Sequence, residues 1–152
     1  MSKTVIIFAS MGGNTEEIAS IIAQKLKEAS EDVTTIDMMD SPVVTILNEY
    51  DQILLGAYTW GDGELPNEYL DFYDDLDTLD LTGKKAAAFG SGDTGYPSFC
   101  GAVDLLSEKL KERGAEIVCD GLKVELFPED EEAEKCVAFA EALLKNSTVT
   151  NG

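Results

Sequence analysis

A chain of 152 residues is long enough for one domain with a sizeable core, and 44% hydrophobic with 27% charged residues is an ordinary globular composition. Thirty acidic residues against eleven basic ones leave a net charge of −19, which repels nucleic acid and anionic membrane surfaces and attracts basic proteins. Histidine is absent, which excludes Ser-His-Asp and Cys-His catalysis and histidine-ligated metals.

Cys100, Cys119 and Cys136 are odd in number and lack CxxC or CxxH spacing. Neither a disulfide framework nor a zinc site is indicated, and reduced thiols predict a cytoplasmic protein. The N-terminal apolar run is too short for the core of a signal peptide, and no stretch approaches a transmembrane length.

Strand and helix patterns alternate along the chain. Val5 to Ala9 reads as a fully buried strand. Ile18, Ile22, Leu26 and Ala29 mark one face of the helix that follows. Val33 to Met38 is a second strand, and Ser41-Pro42 reads as an N-cap and first-turn proline for a short helix over Val43 to Asn48. Gln52 to Ala57 is a third strand. A helix from near Pro66 carries Tyr69, Phe72, Tyr73, Leu76 and Leu79. Lys85 to Gly90 is a fourth strand. Phe99, Val103, Leu106 and Leu110 space the next helix, stopped by Gly114. Glu116 to Cys119 and Leu122 to Leu126 make a fifth strand, bent at Gly121. A last helix from Pro128 turns Val137, Ala140 and Leu144 inward, and residues 147–152 form a frayed tail beyond a single domain over 1–146. Five strands alternating with helices predict a parallel sheet covered on both faces.

Ligands of such sheets bind outside the carboxyl ends of the strands. Three loops leave at that edge. The first, Ser10-Met11-Gly12-Gly13-Asn14-Thr15, joins a strand to a helix N-terminus, where unpaired N–H groups and the helix dipole attract an anion. Ser10, Asn14 and Thr15 add side-chain donors, and the glycines permit close backbone approach. The loop has no Lys or Arg, so it holds a phosphate through dipoles rather than charge. The second, Tyr58 to Pro66, sets the single Trp60 beside Gly61 and Gly63. The third, Gly90 to Cys100, sets Tyr96 among glycines. A phosphate cradle and two aromatic faces on one rim fit a planar ring with a phosphate tail, and a chain without histidine leaves the bond-making chemistry to the cofactor.

These residues resemble the flavodoxin family over nearly the whole chain. Phe8 to Thr15, continuing through Ala19 and Ile22, resembles the family's phosphate loop. Thr59-Trp60-Gly61-Asp62-Gly63 resembles its second flavin loop. Gly90-Ser91-Gly92-Asp93 with Tyr96 and Phe99-Cys100-Gly101-Ala102-Val103-Asp104 resembles its third. The fifth strand lacks the long insertion of long-chain members, so the similarity is to the short-chain class.

The resemblance implies a three-layer α/β/α fold with a five-stranded parallel sheet of order 2-1-3-4-5. It implies non-covalently bound flavin mononucleotide (FMN) and a low-potential single-electron carrier moving between semiquinone and hydroquinone, not an enzyme with its own substrate. Ser10, Asn14 and Thr15, the backbone from Met11 through Gly12 and Gly13 to Thr15, and Thr59 would hold the phosphate. Trp60 and Tyr96 would sandwich the ring, with Tyr58, Gly61, Asp62 and Phe99 beside it. Backbone groups of Ser91, Gly92, Asp93 and Cys100 would meet its pyrimidine edge. Gly61 tolerates the positive φ that would let its carbonyl accept a hydrogen bond from the flavin N5–H. Asp62, Glu64, Asp93 and the run Glu68, Asp71, Asp74 and Asp75 would disfavour the anionic hydroquinone. Gly12 stands where many members carry a hydroxyl, and Pro97 where an acidic residue is common.

Implied partners are basic redox proteins: a flavodoxin or ferredoxin reductase as donor, and oxidoreductases or monooxygenases as acceptors, met by a cytoplasmic monomer. A flavin-binding activator of a metalloenzyme and a flavin-dependent quinone reductase are the alternatives. A phosphoryl-receiver domain would need clustered aspartates where Ala9-Ser10 stands. A cysteine phosphatase would need a Cys and an Arg that the phosphate loop lacks.

Overall fold

The computed structural model of the chain describes residues 3–10, 13–29, 31–59, 64–92, 100–125 and 128–149. In chain order these form β1 (Lys3–Ala9), α1 (Asn14–Glu28), β2 (Asp32–Asp37), 3-10 turns at Met38–Asp40 and Val44–Glu49, β3 (Gln52–Tyr58), and α2 (Asn67–Asp75) with a 3-10 extension at Leu76–Thr78. Then follow β4 (Lys85–Gly92), α3 (Gly101–Glu112), β5 (Glu116–Ile117), β6 (Leu122–Glu125) and α4 (Glu131–Val149).

All strand pairs are parallel, in the order β2-β1-β3-β4-β5, with β6 also on β4. The period of two along each strand divides the core. Val5, Ile7 and Ala9 face one way with Ile53, Leu55 and Ala86, against Tyr69 and Phe72 of α2 and Val103, Leu106 and Leu110 of α3. Ile6 and Phe8 face the other way with Leu54 and Phe89, against Ile18, Ile22 and Leu26 of α1 and Phe139 and Leu143 of α4. Covering on both faces explains why β1 and β3 are nearly continuous apolar runs rather than alternating ones. The result is the predicted three-layer architecture and strand order.

Four local expectations are corrected. The fifth strand is two: Glu116–Ile117 pairs with Lys85–Ala86, and Leu122–Glu125 with Phe89–Gly92. At the break between them a Cβ on Gly121 would lie 2.6 Å from Val103, so α3 approaches the backbone there too closely for a side chain. Ser41 is not an N-cap. It takes a left-handed φ of 50° and its N–H closes the preceding turn onto Met38, while Val43 caps the next one. That next element is a 3-10 helix over Val44–Glu49. On α4 the fully buried stripe is Cys136, Ala140 and Leu143, with Leu144 at its margin. The helix itself runs to Val149.

The carboxyl ends of the three central strands lie level. Ala9 is in register with Ala57, Ala57 with Gly90, and Tyr58 with Ser91. The three loops of interest therefore leave the sheet side by side.

Candidate functional site

The first loop arrives at α1 through Gly13, whose φ of 93° is a left-handed conformation that glycine adopts without penalty. Gly13 caps with no side chain, and its carbonyl accepts the first helical bond, from Glu17 N–H at 3.0 Å. The N–H groups of Asn14 and Thr15 have no carbonyl one turn back to bond within the helix. Ser10 reaches across the loop, its Oγ accepting from Glu16 N–H at 3.1 Å. The start of a 15-residue helix thus gathers Ser10, Gly13, Asn14 and Thr15 around converging donors.

The three loop roots are tied to one another. Thr15 is fully buried, and its Oγ1 lies 2.7 Å from Ser91 Oγ, a hydroxyl at the end of β4 that is itself almost wholly buried. The Ser91 carbonyl accepts from Thr59 N–H at 3.2 Å, and Thr59 Oγ1 accepts from Ala102 N–H, in the first turn of α3, at 3.3 Å. One hydrogen-bonded path therefore runs from α1 through β4 and β3 to α3.

Close packing narrows the third loop root. A Cβ on Gly92 would sit 2.9 Å from Cys100 Sγ and 3.0 Å from Cys100 N. Cys100 holds φ at 51° just before α3, and its buried sulfur points toward the carbonyls of Gly90 and Val124. Burial pushes its thiol up to about 12, so it packs rather than reacts.

Tyr58, foreseen beside the ring, is tied to α2. Its hydroxyl donates to Glu68 Oε2 of α2 at 2.9 Å, and burial followed by that bond pushes its pKa up to about 12. The pair joins the two ends of the second loop. Sequence reasoning names Glu68 only as a charge. The i to i+10 separation gives no periodic signal for such a pair. Ser91 was expected to serve through its backbone, and the buried hydroxyl pairing with Thr15 was missed because it links residues 76 apart in sequence. Ala102 was missed as a donor because its acceptor, Thr59, lies 43 residues away in sequence.

Of the other expected ligand residues, Met11, Gly12, Trp60, Gly61, Asp62, Asp93, Tyr96 and Phe99 lie outside the described residues, as does Pro97. Among the described residues no group of three or more His, Cys, Asp or Glu could hold a metal ion, and no helix is long and apolar enough to cross a membrane. Beside the rim, α2 presents Glu68, Asp71 and Asp75 to an open hollow of about 490 Å³ shared with Met39 and Val43. Met39 is 70% and Val43 68% exposed, and the lining contains no Lys or Arg.

The chain matches the family model for flavodoxin over residues 6–139. It is 45% identical over 147 residues to probable flavodoxin 2 of Bacillus subtilis (strain 168), covering 97% of each chain. Among solved structures it resembles oxidised flavodoxin 1 of Bacillus cereus, with 60% identity, a TM-score of 0.93, and coverage of 95% of this chain and 98% of that one. It also resembles the flavodoxin of Streptococcus pneumoniae TIGR4, with 43% identity, a TM-score of 0.91, and coverage of 95% and 99%. With a matching sheet order, three loop roots gathered on one rim and this similarity over almost its full length, the chain belongs to the flavodoxin family of short-chain electron-transfer proteins.

Proposed function

We propose that residues 1–146 form one FMN-binding domain that carries single electrons at low potential between cytoplasmic redox proteins. The observation that carries this is the hydrogen-bonded path that ties the α1, β3, β4 and α3 termini into one rim.

The donor set fits the ligand. The start of α1 offers oriented N–H groups, the Ser10 hydroxyl and the positive end of the helix dipole, without a formal cation. That suits a permanently held phosphate monoester. At the third root, Gly92 packs against Cys100, where a Cβ would lie 2.9 Å from Sγ and 3.0 Å from N, so the two backbones that would meet the ring's polar edge lie side by side. Ser10, Met11, Gly12, Gly13, Asn14, Thr15 and Thr59 would hold the phosphate. Trp60 and Tyr96 would cover the ring, with Tyr58, Gly61, Asp62 and Phe99 around it and the backbone of Ser91, Gly92, Asp93 and Cys100 at its polar edge. The bound flavin supplies the redox chemistry. The protein's part is to bind it, shield it from water and surround it with carboxylates that disfavour added negative charge.

The same carboxylates serve docking. Glu68, Asp71 and Asp75 flank the exposed Met39 and Val43 beside the rim. A basic reductase or acceptor is steered in by charge and held briefly by a small apolar contact. The net charge of −19 also opposes self-association, so the carrier works as a monomer.

The test is reconstitution with FMN, followed by titration with a one-electron reductant under visible absorption. Two separated one-electron steps are expected. Protein that takes up no FMN refutes the reading, and a single two-electron bleaching favours a reductase. Electron transfer to a basic haem protein such as cytochrome c should slow with added salt. A salt-independent rate would remove the steering argument.

A further inference from the structure

Ser91 sits at the end of β4, at the root of the loop expected to meet the ring, yet its side chain points elsewhere. Its hydroxyl is 2.7 Å from the Thr15 hydroxyl. Both residues are buried, Thr15 completely and Ser91 to 3% exposure. Thr15 belongs to the first turn of α1, the phosphate end of the site. We infer that Ser91 is a positioning residue for the phosphate end: its hydroxyl acts through Thr15 to hold the first turn of α1 in register with the ends of β3 and β4.

The chemistry gives the pair a direction. Each hydroxyl has one proton, and either oxygen could be the donor. An anion accepts hydrogen bonds and donates none. If Thr15 donated to Ser91, Thr15 would turn lone pairs toward the phosphate loop. With Ser91 as donor, the Thr15 proton stays available and the Thr15 hydroxyl is polarised in the favourable sense. Phosphate binding therefore selects the Ser91-to-Thr15 direction. The Ser91 carbonyl meanwhile holds Thr59 N–H, so displacement of this one residue loosens two loop roots together.

This inference rests on the FMN reading above. Its test exploits the difference between FMN and riboflavin, which share the ring and ribityl chain and differ by the phosphate. Affinities of the apoprotein for both are measured by fluorescence quenching for wild type, Ser91→Ala, Thr15→Val, the double variant, and Thr15→Ser as the conservative exchange. Ser91→Ala is expected to weaken FMN about five- to tenfold, the loss of one buried hydrogen bond, and to weaken riboflavin by a distinctly smaller factor. Thr15→Val should do at least as much, the double variant should be no weaker than Thr15→Val, and Thr15→Ser should keep FMN affinity. Ser91→Cys preserves the side-chain volume with a weaker donor and should fall between wild type and Ser91→Ala, which covers the case in which Ser91→Ala does not fold.

Equal weakening of FMN and riboflavin would mean a merely structural role and overturn the inference. So would unchanged FMN affinity in Ser91→Ala, or additive losses in the double variant. Wild-type protein that binds neither flavin would overturn the functional reading itself. Wild-type binding of both with equal affinity would overturn only the phosphate assignment on which Ser91 acts.

Discussion

Gly90 tests how tightly the site is bound to the core beneath it. An ideal Cβ at Gly90 would fall 2.2 Å from the Ala57 carbonyl oxygen and 2.7 Å from Val103 Cγ2, where ordinary contact begins at 3.4 Å. Relief requires a shift of about 1 Å, since the repulsive wall is steep. The carbonyl belongs to β3, whose pairing with β4 at Ala57 and Gly90 is part of the ladder. The strand cannot retreat alone, so α3 must also move outward. That motion carries Ala102 N–H away from Thr59, and their bond is already long at 3.3 Å.

Gly90→Ala should therefore cost about 3 kcal/mol, the upper part of the overpacking range, because a backbone atom is one of the two obstacles. At roughly 2–4 °C per kcal/mol for a domain of this size, Tm should fall by about 6–12 °C. Urea denaturation gives the free energy directly, and flavin titration should show weakened binding in the folded variant. Gly13→Ala is the control. Nothing lies within 4 Å of its Cβ, so only the left-handed φ of 93° is penalised, for about 1–2 kcal/mol. A Gly90→Ala protein within about 0.5 kcal/mol of wild type, the usual range for neutral surface changes, would refute the packing argument.

Three further predictions follow from buried polar groups. Tyr69→Phe removes a buried phenol that donates to the Ile7 carbonyl at 3.0 Å, and urea melts should show a loss of about 1 kcal/mol with flavin affinity unaltered. Burial and the bond to Glu68 raise the Tyr58 phenol from 10.0 to about 12; the folded state then holds this proton longer than the unfolded chain. Its contribution is complete below pH 10 and lost toward pH 12. The difference in stability between wild type and Tyr58→Phe should accordingly shrink across that interval, and a constant difference would contradict it. The thiols of Cys100 and Cys136 have no exposure and are raised by burial to about 12 and 11, so a disulfide reagent at pH 8 should leave both unmodified until the protein is unfolded.

The layers and strand order were legible because β1 and β3 are long apolar runs and each helix keeps one apolar stripe. The helix start at Gly13, Asn14 and Thr15 was legible for a local reason: a short loop of small and polar residues follows a buried strand and leads into an apolar helical stripe. What escaped notice was longer in range. The sequence marks an interruption at Gly121, but not that α3 crowds it there through Val103 or that the two halves pair with opposite ends of β4. The turn of Ser41 into left-handed backbone was hidden by Pro42, which made a cap look natural. The Thr15–Ser91 pair joins α1 to β4 across 76 residues, and the Tyr58–Glu68 pair spans one loop at a separation that carries no periodic signal.

A chain with no histidine and with all three thiols pushed up to about 11 or above has a distinctive relation to its surroundings. No imidazole changes charge on it between mildly acidic and mildly alkaline conditions, and its thiols do not ionise there. Neither kind of side chain therefore adds a step to the electric field the chain shows to a partner as the surrounding acidity drifts. A change in electron flow with pH near neutrality then has no imidazole or thiol of this chain behind it, which turns attention to the titrating groups of the flavin and of the partner.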